Sequence, residues 1–133
     1  MANYTLCAQD IMQVEIATIL GDASVSEATR LMFQEGVRSL LVEPRDKDDA
    51  YAIITYSDIV KKVLADGLDP NQVEVHQVMT KPVVSVSPDM KVEYIARLFR
   101  QVGIGHAPVM DSGKLLGIVS MTDIVTEVVI DPD

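Results

Sequence analysis

The chain repeats itself, and an internal repeat limits the possible folds more than any single motif. Sliding the sequence by 67 residues places Met12 on Met79, Asp22 on Asp89, Val25 on Val92 and Arg30-Leu31 on Arg97-Leu98. Gln34 then falls on Gln101, Gly36 on Gly103 and Val42 on Val109. Beyond that point the offset becomes 65: Ile53 meets Ile118, and Asp58-Ile59-Val60 meets Asp123-Ile124-Val125. The first copy therefore carries two extra residues between Val42 and Ile53, in the charged stretch Pro44-Arg45-Asp46-Lys47-Asp48-Asp49. Extra length in a surface loop costs little. The copies meet near Asp66-Gly67-Leu68-Asp69-Pro70-Asn71, a polar Gly/Pro stretch, so the expected units are residues 1–67, with the N-terminal segment, and 68–133.

Each copy reads as β-α-β-β-α. In the second, Val83-Val84-Ser85-Val86 has strand composition and Pro88-Asp89 a turn. Val92, Ile95, Ala96, Phe99 and Val102 recur at helical spacing, and Gly103 stands where a helix end favours positive φ. Ala107 to Met110 and Leu115 to Ser120 read as strands flanking a hairpin turn, Asp111-Ser112-Gly113-Lys114. A last helix is expected from Thr122 to about Val128. In the first copy Ser24 and Glu27 form a capping box, Val25, Ala28, Leu31 and Met32 a buried stripe, and Gly36 a helix end. Leu40 to Val42 and Tyr51 to Thr55 are its later strands, and Ser57 opens its last helix. The helix-linked strands are expected parallel with a right-handed crossover. Sheets this small bury both faces only when two units press together, so the expected fold is α/β, two pseudo-twofold related β-α-β-β-α units packed sheet to sheet.

Composition narrows the function classes. Hydrophobic residues make up 48% of the chain, with 4 Tyr, 2 Phe and no Trp, so the core is aliphatic. Met12, Met32 and Met79 read as core filler. A net charge of −9 opposes both nucleic acid and an anionic membrane surface. Cys7 stands alone, no apolar run reaches transmembrane length, and the N-terminus lacks the look of a signal peptide, so a cytoplasmic protein is expected. One Cys with His76 and His106 offers no zinc-ligand spacing and no nucleophile–base pattern, so neither a metal site nor an enzyme is expected.

Three motifs recur in order in both copies. The second holds Val78-Met79-Thr80, Gly105-His106-Ala107-Pro108-Val109 and Gly117-Ile118-Val119-Ser120-Met121-Thr122-Asp123. The first ends in Ala52-Ile53-Ile54-Thr55-Tyr56-Ser57-Asp58. On these the chain, from about Ala8 to Val129, resembles a tandem CBS (cystathionine-β-synthase) domain pair. The resemblance implies a non-catalytic regulatory module. Such pairs bind an adenosine-containing ligand (AMP, ADP or ATP) in clefts between the two units and modulate an effector protein.

It further implies a small residue, two apolar residues, Thr or Ser, two variable residues, and then Asp as the nucleotide motif. Asp123 and Asp58 would accept hydrogen bonds from the ribose diol, and Ser120, Thr122, Thr55 and Ser57 would serve ribose or phosphate. Ser57 and Thr122 as helix N-caps, with the aspartates as dipole partners, is the competing reading. Adenine would lie at Thr80, Pro82 and Val83 in the second copy. Gln13-Val14-Glu15-Ile16 takes that place in the first, with Ile16 as the apolar contact and Glu15 repelling phosphate. Arg38 and His106 are the expected phosphate donors. On these grounds the second copy is the better nucleotide site. A homodimer is expected, and the alternatives are a ligand-independent dimerisation or scaffold module and an S-adenosylmethionine or dinucleotide sensor.

Overall fold

The computed structural model describes residues 2–130; residue 1 and residues 131–133, the outer ends of the two expected units, lie outside the described residues. The chain forms two compact units, Ile16–Val83 and Met1–Glu15 with Val84–Asp133. The boundary near Gly67 divides the sequence copies but not these units. Each unit takes its opening segment from the other copy.

The unit of residues 16–83 has a three-stranded sheet. Strand β1 (Thr18–Ile19) pairs parallel with β2 (Ser39–Val42), which pairs antiparallel with β3 (Ala52–Thr55). Helix α2 (Val25–Glu35) makes the crossover between β1 and β2. Ser24 caps it by accepting a hydrogen bond from the Glu27 N–H at 3.0 Å, and Gly36 ends it at φ 67°. Gly36 suits that place because only glycine adopts positive φ without steric cost. Val25, Ala28 and Met32 form the buried stripe and pack with Leu40, Val42, Ala52 and Ile54. After β3 come α3 (Tyr56–Ile59) and a π-helical turn, Val60–Leu64. Helix α4 (Val75–Val78) closes the same core with Val75 and Val78.

The other unit repeats this plan with short helix α1 (Ala8–Ile11) in the place of α4. Equivalent bonds seat the two segments: Ala8 N–H donates to Met90 O and Gln9 N–H to Pro88 O, as Val75 N–H does to Ala23 O and His76 N–H to Gly21 O. Ala8 and Ile11 are buried with Val92, Ile95 and Phe99 of helix α5 (Val92–Val102). Ala96 and Val102, expected on the buried face, are exposed. Strands β4 (His106–Asp111) and β5 (Lys114–Ser120) form an antiparallel hairpin. Its two turn residues, Ser112 and Gly113, both have positive φ, as a primed turn requires. Helix α6 (Met121–Val125) and a π-helical turn, Thr126–Ile130, follow.

The expected strand Val83–Val86 does not form. Val83 donates its N–H to Tyr51 O and leaves with the other unit. Only Val86 pairs, in a parallel bridge to Val109, with its N–H on Pro108 O and its carbonyl accepting from Met110. Met32 is fully buried, and Met12 and Met79 pack against the two cores, as core filler would.

Candidate functional site: two capped aspartates

The last helix of each copy begins on the same local structure. Thr55 and Ser120 are the N-caps, each one residue before the helix. The Asp58 N–H donates to Thr55 Oγ1 at 3.2 Å, and the Asp123 N–H to Ser120 Oγ at 3.2 Å. In return Asp58 Oδ2 accepts from the Thr55 N–H (3.0 Å) and hydroxyl (3.2 Å), and Asp123 Oδ2 from the Ser120 N–H (2.9 Å) and hydroxyl (3.0 Å). This is a reciprocal capping box with Asp at its third helical position. It fixes each carboxylate and turns the second oxygen, Oδ1, away from the cap.

The cap is therefore not at Ser57 or Thr122, which begin no helix. Both lie on the exposed first turn, and neither side chain has a hydrogen bond to any described residue. Thr55 and Ser120 are the reverse: their hydroxyl protons are already given to the aspartates, leaving them only acceptor capacity.

The two Oδ1 atoms have different partners. Lys62 Nζ lies 3.1 Å from Asp58 Oδ1 and donates at 2.8 Å to Val78 O. Gln13 Nε2 donates at 3.0 Å to Asp123 Oδ1. Gln13 and Thr80 are equivalent in the repeat, and each is laid on the last strand of its unit. Gln13 exchanges both backbone bonds with Ile118, at 2.9 and 3.0 Å, and Thr80 both with Ile53, at 3.0 and 2.8 Å.

This crossing changes which candidates meet. Thr80, Pro82 and Val83 share a unit with Thr55, Ser57, Asp58, Arg38 and Ile16, not with Asp123. Glu15 belongs to the unit of Ser120, Thr122, Asp123 and His106. The acidic residue expected to weaken the first copy's site thus falls in the unit of the second copy's motif. Arg38 is exposed, and its carbonyl accepts from the Tyr56 N–H at 3.2 Å, which sets it beside the start of α3. Gly105 makes the same bond to Met121, at 2.9 Å. His106 pairs with Ser120 across β4 and β5, as Ser39 does with Thr55 across β2 and β3.

Sequence reasoning missed Lys62 and the true partner of Gln13. The Lys62 signal was present, since a lysine four residues after an aspartate on a helix is a pairing pattern. Gln13 gave no local signal, because its partner is 110 residues away.

Gly117 is needed for this arrangement. A Cβ there would stand 2.7 Å from Met12 Sδ and 2.8 Å from Gln13 O. Among the described residues no cluster of three or more His, Cys, Asp or Glu side chains could hold a metal ion, and no helix is long and apolar enough to cross a membrane.

Known proteins share this design. The family described as CBS domain matches residues 8–65 and again 75–130. The chain is 31% identical over 116 residues to the CBS domain-containing protein YhcV of Bacillus subtilis, covering 87% of this chain and 81% of that one. It is 38% identical over 94 residues to an uncharacterized protein of Methanopyrus kandleri, covering 70% of this chain; it spans 47%, about half, of that protein's length. Its fold matches the hexameric CBS-CP12 protein from bloom-forming cyanobacteria with a TM-score of 0.87 and 48% identity, over 90% of this chain and 69% of that one. With both copies matched at the positions that build the two capped aspartates, the chain belongs to the CBS-domain family as a tandem pair.

Proposed function

We propose that this chain is a non-catalytic regulatory module that binds an adenosine-containing ligand (AMP, ADP or ATP) and passes its occupancy to an effector protein in the cytoplasm. One observation carries the reading. Two aspartates at matched positions are held by their caps, each with its second carboxylate oxygen left outside the cap, beside Lys62 in one copy and Gln13 in the other. A fixed carboxylate with spare lone pairs suits the two adjacent hydroxyls of a ribose, and the exposed Ser57 and Thr122 hydroxyls lie one residue away. Arg38 remains the proposed phosphate donor, with Thr80, Pro82, Val83 and Ile16 proposed for adenine.

Calorimetry with AMP, ADP, ATP, S-adenosylmethionine and NADH tests this. Micromolar to submillimolar binding is expected for an adenine nucleotide. Replacing a ribose aspartate by alanine should weaken its own site about tenfold or more, because a hydrogen bond to a charged group is lost. If none of the five ligands binds the folded, ligand-stripped protein, the reading fails.

A second reading, a self-associating scaffold, is favoured by another observation. Tyr56, Val60 and Leu64 form an exposed apolar stripe, and Met121, Val125 and Val129 repeat it at matched positions. The similar cyanobacterial protein is a hexamer. Association of copies through these stripes is compatible with ligand binding, and sedimentation with and without nucleotide separates the two roles.

A further inference from the structure

We infer that the two aspartate motifs select adenosyl ligands of different charge: the Asp58 motif takes a phosphate-bearing anion, and the Asp123 motif takes an uncharged or cationic adenosyl group. This rests on the function proposed above and assigns a ligand class to each site.

The argument starts from the repeat. Lys62 aligns with Glu127, Lys61 with Thr126 and Arg38 with Gly105. Every one of these differences removes positive charge from the second copy's motif. The exchange of opening segments adds to the contrast. Glu15 lies in the Asp123 unit, two residues after Gln13, which touches Asp123; its repeat equivalent in the Asp58 unit is the uncharged Pro82.

The geometry gives Lys62 a specific role. An ammonium group has three protons to donate. One goes to Asp58 Oδ1 at 3.1 Å and one to Val78 O at 2.8 Å. The third remains for a ligand oxygen, and the side chain is 45% exposed. The Asp58 carboxylate, 12% exposed, thus presents a ribose acceptor beside a cation fixed on two anchors. Its own charge is balanced before the ligand arrives.

Asp123 has no such balance. Its Oδ1 partner, the Gln13 amide, is neutral. Glu127 stands four residues later on the same helical face, where like charges repel. A phosphate entering there meets Asp123, with Glu127 one helical turn on and Glu15 in the same unit, and no fixed cation from α6 or the turn after it. A nucleoside without phosphate, or a sulfonium nucleoside, carries no such cost.

The test is calorimetry at pH 8. ATP and adenosine are titrated into the full chain and into Asp58→Asn, Asp123→Asn, Lys62→Gln and Glu127→Lys. The expected result is one ATP site per chain, weakened about tenfold or more by Asp58→Asn and by Lys62→Gln and unchanged by Asp123→Asn. Adenosine binding should fall in Asp123→Asn and persist in Lys62→Gln. Glu127→Lys, at a half-buried position outside the buried core, should add a second ATP site. ATP binding lost in Asp123→Asn and kept in Asp58→Asn overturns the charge assignment alone. Failure of both ATP and adenosine to bind the folded wild-type chain overturns the nucleotide reading and this inference with it.

Discussion

Gln13 Nε2 donates a 3.0 Å hydrogen bond to Asp123 Oδ1, joining the N-terminal segment of one copy to the last motif of the other. The same segment adds Ala8 and Ile11 to the core around α5. The unit of residues 84–133 is therefore completed by residues far from it in sequence, and the first three predictions depend on this crossing or on the caps beside it.

Ile11 is 4% exposed and packs with the second copy, although it lies in the first. Ile11→Ala should cost about 2–5 kcal/mol, the usual cost of truncating a buried aliphatic side chain. Hydrogen exchange shows where the cost falls. Amides of α5 and β4 should lose protection before those of α2 and β2. A loss confined to α2 and β2 would mean that the segment belongs to its own copy.

Gly117→Ala tests the close approach of Met12 and Gln13. The added Cβ forces the Gln13 backbone off Ile118, at an expected cost of about 1–3 kcal/mol. Chemical denaturation measures it. Ala52, at the matched position, already carries a Cβ and is 1% exposed, so Ala52→Gly should also destabilise rather than relieve strain. Opposite substitutions at equivalent positions would then both be unfavourable, because Gly117 has no room for a Cβ while the Ala52 side chain is packed in its core.

Much of this was legible in the sequence. The offset of 67, the helix-ending Gly36 and Gly103 and the hairpin at Ser112-Gly113 all rest on local rules of conformation, and all appear as expected. What was not legible is which copy receives Gln13, Glu15 and Thr80. Apolar periodicity shows which face of a segment is buried, not which core it enters. The misplaced strand at Val83–Val86 has the same origin. Its composition suits a strand, but the chain changes unit between Val83 and Val84, so the two ends find different partners. Both caps fell two residues before where they were sought, because Thr55 and Ser120 look like strand ends until the Asp three residues on is seen to reach back.

The caps separate structural from ligand hydroxyls. Thr55→Ala removes a hydroxyl that caps α3 and bonds Asp58, so the ligand-free protein should lose about 1 kcal/mol of stability. Ser57→Ala removes an exposed hydroxyl without a protein partner among the described residues and should leave ligand-free stability within about 0.5 kcal/mol. If the proposed site is correct, Ser57→Ala instead weakens nucleotide binding. Thermal melts with and without ATP read both effects, and a Ser57→Ala protein with unchanged melts in both states removes Ser57 from the site.

Self-association should depend on the exposed stripes. Val125→Asp places a charge in the middle of Met121, Val125 and Val129 without touching a core residue. The variant should sediment as a smaller species than the wild type at equal concentration, with an unchanged far-ultraviolet spectrum. Equal sedimentation would place the contact between copies elsewhere.

Asp49, in the long loop of the first copy, makes a charged latch with Arg45 and Lys81. Asp49 is held well below the ordinary carboxylate range, first by the Arg45 N–H bond at 2.8 Å and then by Lys81, with Arg45 Nε 3.3 Å away. Because the folded group keeps its charge to lower pH than an unfolded one, its contribution is present above the unfolded value of about 3.9 and fades as pH falls through the depressed folded value. Lys81 lies next to Pro82 and Val83, so the latch ties the long loop to the stretch proposed for adenine. In Lys81→Met the Asp49 carboxyl should titrate at a higher pH than in the wild type, yet still below an ordinary aspartate, since the Arg45 N–H remains. Carbon-detected magnetic resonance of the Asp49 carboxyl follows this directly. No upward movement in Lys81→Met would show that the loop alone sets the charge, and that Lys81 is not what joins it to the segment of Pro82 and Val83.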